Sequence, residues 1–259
     1  MDDTATYVYC IMHAAAPPKT ARVPPGLRGA TRPSMAKVSR TLWLAVADVP
    51  LASYGPEPLE TSLKDMQWVG DVAVAHEAVA EHFARQPRVT VIPMQLFTMF
   101  SSERRAVEET QSRRRDLEAL AKRVAGCDEW GVRMTRRPVA VPPRRAVAAT
   151  RASGAAFLAA KREARDRARE ARLAGADTAD RAFAALAAIA REARRRDDAP
   201  EGATSPPLLD AAFLVPTARR ARFKAAARRL AAGCANAGAD MVLTGPWPAY
   251  NFVQPEPGS

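Results

Sequence analysis

The sequence predicts an α+β fold in two domains, on three observations. Short apolar runs with no polar face, Tyr7–Met12 and Leu42–Ala47, have the composition of strands covered on both sides. Beside them runs a stripe of apolar residues at spacings of three and four, the mark of an amphipathic helix. A basic, Pro-rich stretch, Pro138 to Pro143, then separates two segments that each hold both patterns and reads as a hinge. The expected domains are residues 1–137 and 138–259.

In the first strand, Tyr7, Tyr9 and Ile11 are expected on one face and Val8, Cys10 and Met12 on the other. Ala14–Lys37 is rich in Pro and Gly and reads as a long loop or irregular edge. Leu42–Ala47 is the second strand, ended by Asp48 and Pro50. The helical stripe is Leu59, Leu63, Met66, Val69, Ala73, His76, Ala80 and Phe83, with Gly70 a candidate break. Val89–Met94 is a third strand, closed by Pro93. Ser101 or Ser102 caps the next helix, whose inward residues are Val107, Leu117, Leu120 and Val124 and whose stop is Gly126. Trp130, Val132 and Met134 alternate with Gly131, Arg133 and Thr135 in a fourth strand. This order suggests a ferredoxin-like α/β sandwich for the N-terminal domain.

The C-terminal domain is expected to be helix-rich α+β. Ala152–Arg196 has high helix propensity, with Gly175 and Asp177 a candidate break, and Asp197 to Pro207 is a polar loop. Leu209–Val215 reads as a strand. Thr217–Cys234 is a capped helix with Phe223, Ala227 and Leu230 inward, and Ala239–Leu243 is a closing strand.

Composition bounds the function. A chain of 259 residues with 47% apolar and 26% charged residues is globular, not disordered. Its net charge of +11 raises nucleic acid, anionic membrane and acidic protein surfaces as partners. The Arg runs 113–115 and 194–196, however, sit among Asp116, Glu118 and Glu192, as on a solvated helix face. Tyr7, Tyr9, Trp43 and Trp130 lie in core-like strands, so no aromatic-and-basic surface for single strands is laid out. Cys10, Cys127 and Cys234 are odd in number and far apart, as in a reduced interior. The start Met1-Asp2-Asp3 has no basic n-region, and no apolar run nears the ~20 residues that span a bilayer. The expectation is a soluble cytoplasmic protein with no membrane partner.

Catalytic chemistry finds no footing. His76-Glu77 begins like a metalloprotease helix, but the required second His at i+4 is Ala80. His82 lies six residues on, about 120° around the helix from His76. His76 falls in the apolar stripe and reads as a hydrogen-bonded core histidine. No nucleophile elbow and no phosphate-cradling glycine loop occurs. No catalytic, cofactor-binding or metal-ligating residue is assigned, and the chain is read as a non-enzyme.

The most distinctive stretch is Thr244-Gly-Pro-Trp-Pro-Ala-Tyr-Asn-Phe-Val253. Prolines on both sides of Trp247 fix φ and remove amide donors, so the segment suits neither a helix interior nor a central strand. It reads as a stiff aromatic ribbon that docks either on its own domain, over Phe223 and Leu230, or on a partner. Trp247, Tyr250 and Phe252 are the candidate partner-binding residues.

This terminal string resembles the signature of the gas vesicle protein F/L family. Tyr7-Val-Tyr-Cys-Ile11, Trp68, His76-Glu77, Val91-Ile-Pro-Met94, Glu129-Trp-Gly-Val-Arg133 and Ser153-Gly-Ala-Ala-Phe-Leu158 extend the resemblance over nearly the whole chain. Two positions depart from it: Cys10 and Phe97 stand where the family usually has glycine, and at such a point only glycine adopts φ > 0 without strain. The resemblance implies gas vesicle organisation and assembly by a minor structural or accessory component. It would bind the hydrophobic vesicle shell protein, alongside other vesicle accessory proteins, in the cytoplasm and associated with gas vesicles. A reading from another class is a basic nucleic-acid-associated or regulatory binding protein.

Overall fold

The computed structural model describes residues 3–137, 154–196, 206–236 and 238–253. The expected hinge, Pro138 to Pro143, and most of the expected loop from Asp197 to Pro207 lie outside these residues. The chain forms two compact units, but not in sequence order. Unit 1 is Met1–Glu129 together with Pro246–Ser259, and unit 2 is Trp130–Gly245. The division therefore differs from the expected 1–137 and 138–259, because the last segment belongs with the first unit.

Unit 1 is built on an antiparallel sheet. Strand β1 (Thr4–His13) is flanked by β3 (Leu42–Pro50) and β4 (Thr90–Pro93), in the order β2-β3-β1-β4, with β2 (Ser34–Lys37) at the edge. A two-residue strand β5 (Met99–Phe100) also pairs with β1. β2 lies inside the stretch read as a loop or irregular edge.

The β1–β3 register shifts between Val8 and Cys10, so Tyr9 is an extra residue, a β-bulge. The bulge resets the alternation. Tyr7, Tyr9, Cys10 and Met12 all enter one core, while Val8 and Ile11 enter the other. The strict alternation expected from sequence, with Ile11 beside the tyrosines and Cys10 and Met12 opposite, is corrected by this one inserted residue.

After a one-turn helix α1 (Leu51–Tyr54), the helical stripe falls on two helices, α2 (Pro56–Ser62) and α3 (Met66–Ala84). The interruption before α3 falls at Asp65, whose side chain accepts from the amides of Gln67 and Trp68 at 2.9 and 3.3 Å. Gly70 lies inside α3 and breaks nothing. Val72, His76, Val79, Ala80 and Phe83 are its buried residues, whereas Leu63 and Met66 of the expected stripe are exposed.

Ser102 caps α4 (Glu103–Ser112), accepting from Arg105 N at 3.3 Å. The helix restarts at Arg113 as α5 (Arg114–Val124). Gly126 follows at φ +65°, the left-handed conformation expected past a helix end. Ala106, Leu117 and Ala121 close the second core over Leu42, Leu44 and Val46.

In unit 2 a second four-stranded sheet runs β7-β8-β6-β9, from β6 (Cys127–Arg136), β7 (Glu192–Arg195), β8 (Leu209–Pro216) and β9 (Ala239–Trp247). The fourth strand expected in the N-terminal domain is β6. With β6 in another sheet, the first sheet is completed by β2, β3, β4 and β5 around β1, and the chain keeps the expected mixed α and β class.

Helices α6 (Gly154–Ala187) and α7 (Arg220–Asn236) bring Ala182, Leu186, Phe223 and Ala227 onto Phe213 and Val215 of β8. The Phe213 ring lies 5.5 Å from both Phe183 and Phe223. α6 runs on through Gly175 and Asp177, the candidate break. β7 was expected as helix. Its pairing with β8 overrides that propensity, and Arg195 settles on the Phe183 ring at 4.5 Å and on Asp180 at 2.6 Å.

Candidate functional site

The terminal aromatic segment is not one continuous ribbon. Gly245-Pro-Trp247 ends the edge strand β9, where a missing amide is tolerated. After Pro248 and Ala249 the chain makes one helical turn, α8 (Tyr250–Val253), with Tyr250 N bonded to the Pro248 carbonyl at 2.8 Å. From Pro246 onward it belongs to unit 1, so the expected fold-back over Phe223 and Leu230 is corrected.

Three stretches distant in sequence clasp this turn. The Tyr250 hydroxyl donates to a carboxylate oxygen of Glu77 on α3. Asn251 donates twice to Glu129, from its backbone N at 2.7 Å and from its side-chain amide. The Arg123 guanidinium on α5 donates to the Phe252 carbonyl, satisfying an acceptor that so short a helix leaves open. Phe252 is 0% exposed, and Val253 packs on the second core.

The three candidate partner-binding residues therefore part company. Phe252 is a buried anchor and cannot touch a partner, which corrects its assignment. Tyr250 is half-buried and occupied by Glu77. Trp247 is 39% exposed.

Trp247 overlooks a groove of about 560 Å³ along α3. Ala73, Val74 and Ala78 supply apolar surface, and Val74 is 71% exposed. Glu77, Glu81 and Glu129 supply the charge, with Tyr250 and Asn251 completing the wall. A neighbouring depression of about 300 Å³ shares Ala73, Glu77 and Tyr250 and reaches Met94 and Leu96.

Desolvation dominates the electrostatics here. Burial pushes the Glu77 carboxyl upward from its ordinary value, the like charge of Glu81 adds to this, and the Tyr250 hydrogen bond opposes it. Burial also raises the Tyr250 phenol, and Glu77 adds to that shift. Immediately before Glu77 in α3, His76 is pushed down to about 4 by burial, so the ring is neutral at pH 7. The Tyr7 hydroxyl accepts from the Phe97 amide at 3.3 Å and lies 2.8 Å from His76 Nδ1. With Tyr7 donating to Nδ1, the neutral ring carries its proton on Nε2. His76 is thus the core histidine the stripe implied. His82 instead faces the Lys19 carbonyl at 3.3 Å. Among the described residues no group of three or more His, Cys, Asp or Glu could hold a metal ion.

Phe97 takes φ +64°, the left-handed region, in spite of its side chain. Its ring lies parallel to Trp68 with centroids 5.7 Å apart and an interplanar angle of 2°. The backbone keeps the conformation that glycine would give it, and the phenyl ring is laid flat on an indole.

The profile described as "Gas vesicle synthesis protein GvpL/GvpF" matches residues 5–254. The chain belongs to this family. Gas vesicle protein L of Streptomyces sp. strain CB03234 is 31% identical over 216 residues, covering 79% of this chain and 77% of that protein. The crystal structure of gas vesicle protein GvpF from Anabaena sp. PCC7120 superposes with a TM-score of 0.68 at 15% identity, over 98% of this chain and 97% of that one. GvpF from Microcystis aeruginosa gives 0.65 at 13% identity, over 97% and 99%. At those identities the two structures bear on the fold alone, and they share its mixed α and β architecture. Membership gives the protein a gas vesicle-related role.

Sequence reasoning passed over Glu77, Glu129 and Val74 as site residues. The signal was present for two of them. His76-Glu77 and Glu129-Trp-Gly-Val-Arg133 were quoted as family motifs, and both carboxylates hold the terminal motif in place.

Proposed function

We propose that this protein is a non-catalytic gas vesicle assembly component that binds the hydrophobic shell protein before or during its polymerisation, in the cytoplasm. The observation that carries the reading is the family match over residues 5–254. An apolar shell subunit needs a cover until it is built in, and a groove with exposed apolar walls is one way to supply it. Val74 and Trp247 offer such walls.

Several of the chain's arginines are held to carboxylates. Arg104 and Arg105 pair with Glu108 at 3.1 and 3.0 Å, Arg181 with Asp177 at 3.1 Å, and Arg133 and Arg196 share Asp210. Arginines held to carboxylates in this way favour a protein partner over a nucleic acid.

The test is co-expression of the tagged protein with the shell protein, followed by pull-down, and deletion of the gene in the vesicle-forming host. Capture of the shell protein and severe loss of vesicles are expected. Vesicles of normal number in the deletion strain, or no capture, would overturn the reading.

A further inference from the structure

We infer that the groove beside Trp247 takes a short amphipathic segment of a partner polypeptide, with apolar side chains against Val74, Ala78 and Trp247 and a lysine or arginine against Glu77 and Glu81. The inference rests on the shell-binding reading and deepens it by naming the surface and the chemistry of the segment that occupies it.

Charge is the first argument. The chain carries 39 Lys and Arg against 28 Asp and Glu, so its charge is basic on average. The residues lining this groove include three glutamates and no Lys, Arg or His. Such a patch repels phosphates and anionic lipid headgroups and attracts a cationic side chain.

Apolar exposure is the second. Val74 and Trp247 are two of the few large hydrophobic side chains left open among the described residues, and they line the same groove. A hydrated metal ion or a polar small molecule would leave that surface uncovered. An apolar side chain covers it.

The third is an unmet acceptor. One oxygen of Glu77 accepts a hydrogen bond from the Tyr250 hydroxyl, while Oε1 is buried and, among the described residues, has no hydrogen-bond partner. A partly desolvated carboxylate with a single hydrogen bond is short of positive charge, and a guanidinium or ammonium in the groove it lines stabilises it electrostatically. Glu81 pairs with Arg85, whose side chain is 76% exposed, and a pair with so solvated a cation yields readily to a better-placed one. From Ala73 to Glu81 the groove follows α3 for about 12 Å, the length of two helical turns of an incoming segment.

The experiment measures fluorescence anisotropy of a labelled helical Leu/Lys peptide, and of its Leu/Glu counterpart with the same spacing, against the full chain. The protein's net charge favours the Leu/Glu peptide, so preference for Leu/Lys isolates the groove. At least tenfold tighter binding of Leu/Lys is expected, with a loss of fivefold or more in Val74→Asp and in Glu81→Lys. Val74 lies toward solvent on α3 and Glu81 is partly exposed, and the folding of both variants is checked by circular dichroism and thermal midpoint. Equal affinity for the two peptides, no Leu/Lys binding, or unchanged affinity in both variants overturns the inference. In a shell-protein pull-down, undiminished capture by the Val74→Asp/Glu81→Lys double variant also overturns it, while leaving the shell-binding reading intact. Failure of the unaltered protein to capture the shell protein would sink that reading instead, and the peptide titration would then decide the groove by itself.

Discussion

Replacing Phe97 sets backbone strain against side-chain packing at one residue. At φ +64° a residue with a Cβ bears roughly 1–2 kcal/mol that glycine does not. The half-buried phenyl ring contributes in the other direction. Its parallel stack on Trp68 is worth about 0.5–1.5 kcal/mol beyond burial, and partial burial adds on the order of 1 kcal/mol. Phe97→Gly loses the ring and relieves the strain, at the further cost of about 0.4–1 kcal/mol in unfolded-chain freedom. The net is a destabilisation of about 1 kcal/mol. Phe97→Ala loses the same ring and keeps the strain, so it falls further. At an ordinary position alanine is the more stable of the two by about 0.4–1 kcal/mol; here the order should invert, with Gly above Ala. Urea unfolding of the three proteins, followed by tryptophan fluorescence and by circular dichroism, measures both differences. Alanine as stable as glycine, or more so, would refute the claim that Phe97 is strained.

Trp247→Ala, in a side chain 39% exposed, should cost under about 1 kcal/mol by thermal melting instead of the 3–5 kcal/mol of a core truncation, yet reduce shell-protein capture. A large drop in melting midpoint with intact capture would count against it. Tyr250→Phe removes the donor to Glu77 and leaves a desolvated carboxylate without it, a loss of about 1–3 kcal/mol; an unchanged midpoint would show that water replaces the hydroxyl. His76, at about 4 in the fold against 6.5 unfolded, contributes stability that is complete above pH 6.5 and lost as pH falls toward 4. The full loss is about 3 kcal/mol at 1.36 kcal/mol per pH unit. Glu77, raised in the fold, has the opposite sign, since folding then favours its protonated form. Comparison with His76→Gln isolates the imidazole: the variant's stability should fall less between pH 6.5 and 4, and parallel curves would contradict the assignment.

The strands with strong local patterns were legible in the sequence. β1, β3 and β8 are buried on both faces, and apolar runs without a polar face say so directly. The phase of β1 was not legible, because nothing in Tyr-Val-Tyr-Cys-Ile marks Tyr9 as the bulged residue; only the pairing with β3 does. β7 was hidden for a different reason. Its Glu-Ala-Arg-Arg composition favours helix, and the exposed edge of β8 supplied hydrogen bonds that propensity cannot anticipate. At the site, the terminal motif was visible as an anomaly of proline and aromatic spacing. Its docking place was not, since the bonds to Glu77 and Glu129 span more than a hundred residues and leave no local trace.

The assignment of Pro246–Ser259 to the first unit makes unit 2 an insertion, with a consequence for synthesis. A nascent chain emerges N-terminus first, and early domains ordinarily fold while later ones are still being made. Here residues 1–129 can build both sheet faces but lack the turn that seats Phe252 and covers the Glu77 and Glu129 carboxylates. The wall of the groove formed by Trp247, Tyr250 and Asn251 arrives only after every residue of unit 2 has been translated. On the proposed reading of the groove, a polypeptide interrupted anywhere before that point lacks a finished docking surface, and incomplete chains would not compete with complete ones for a partner.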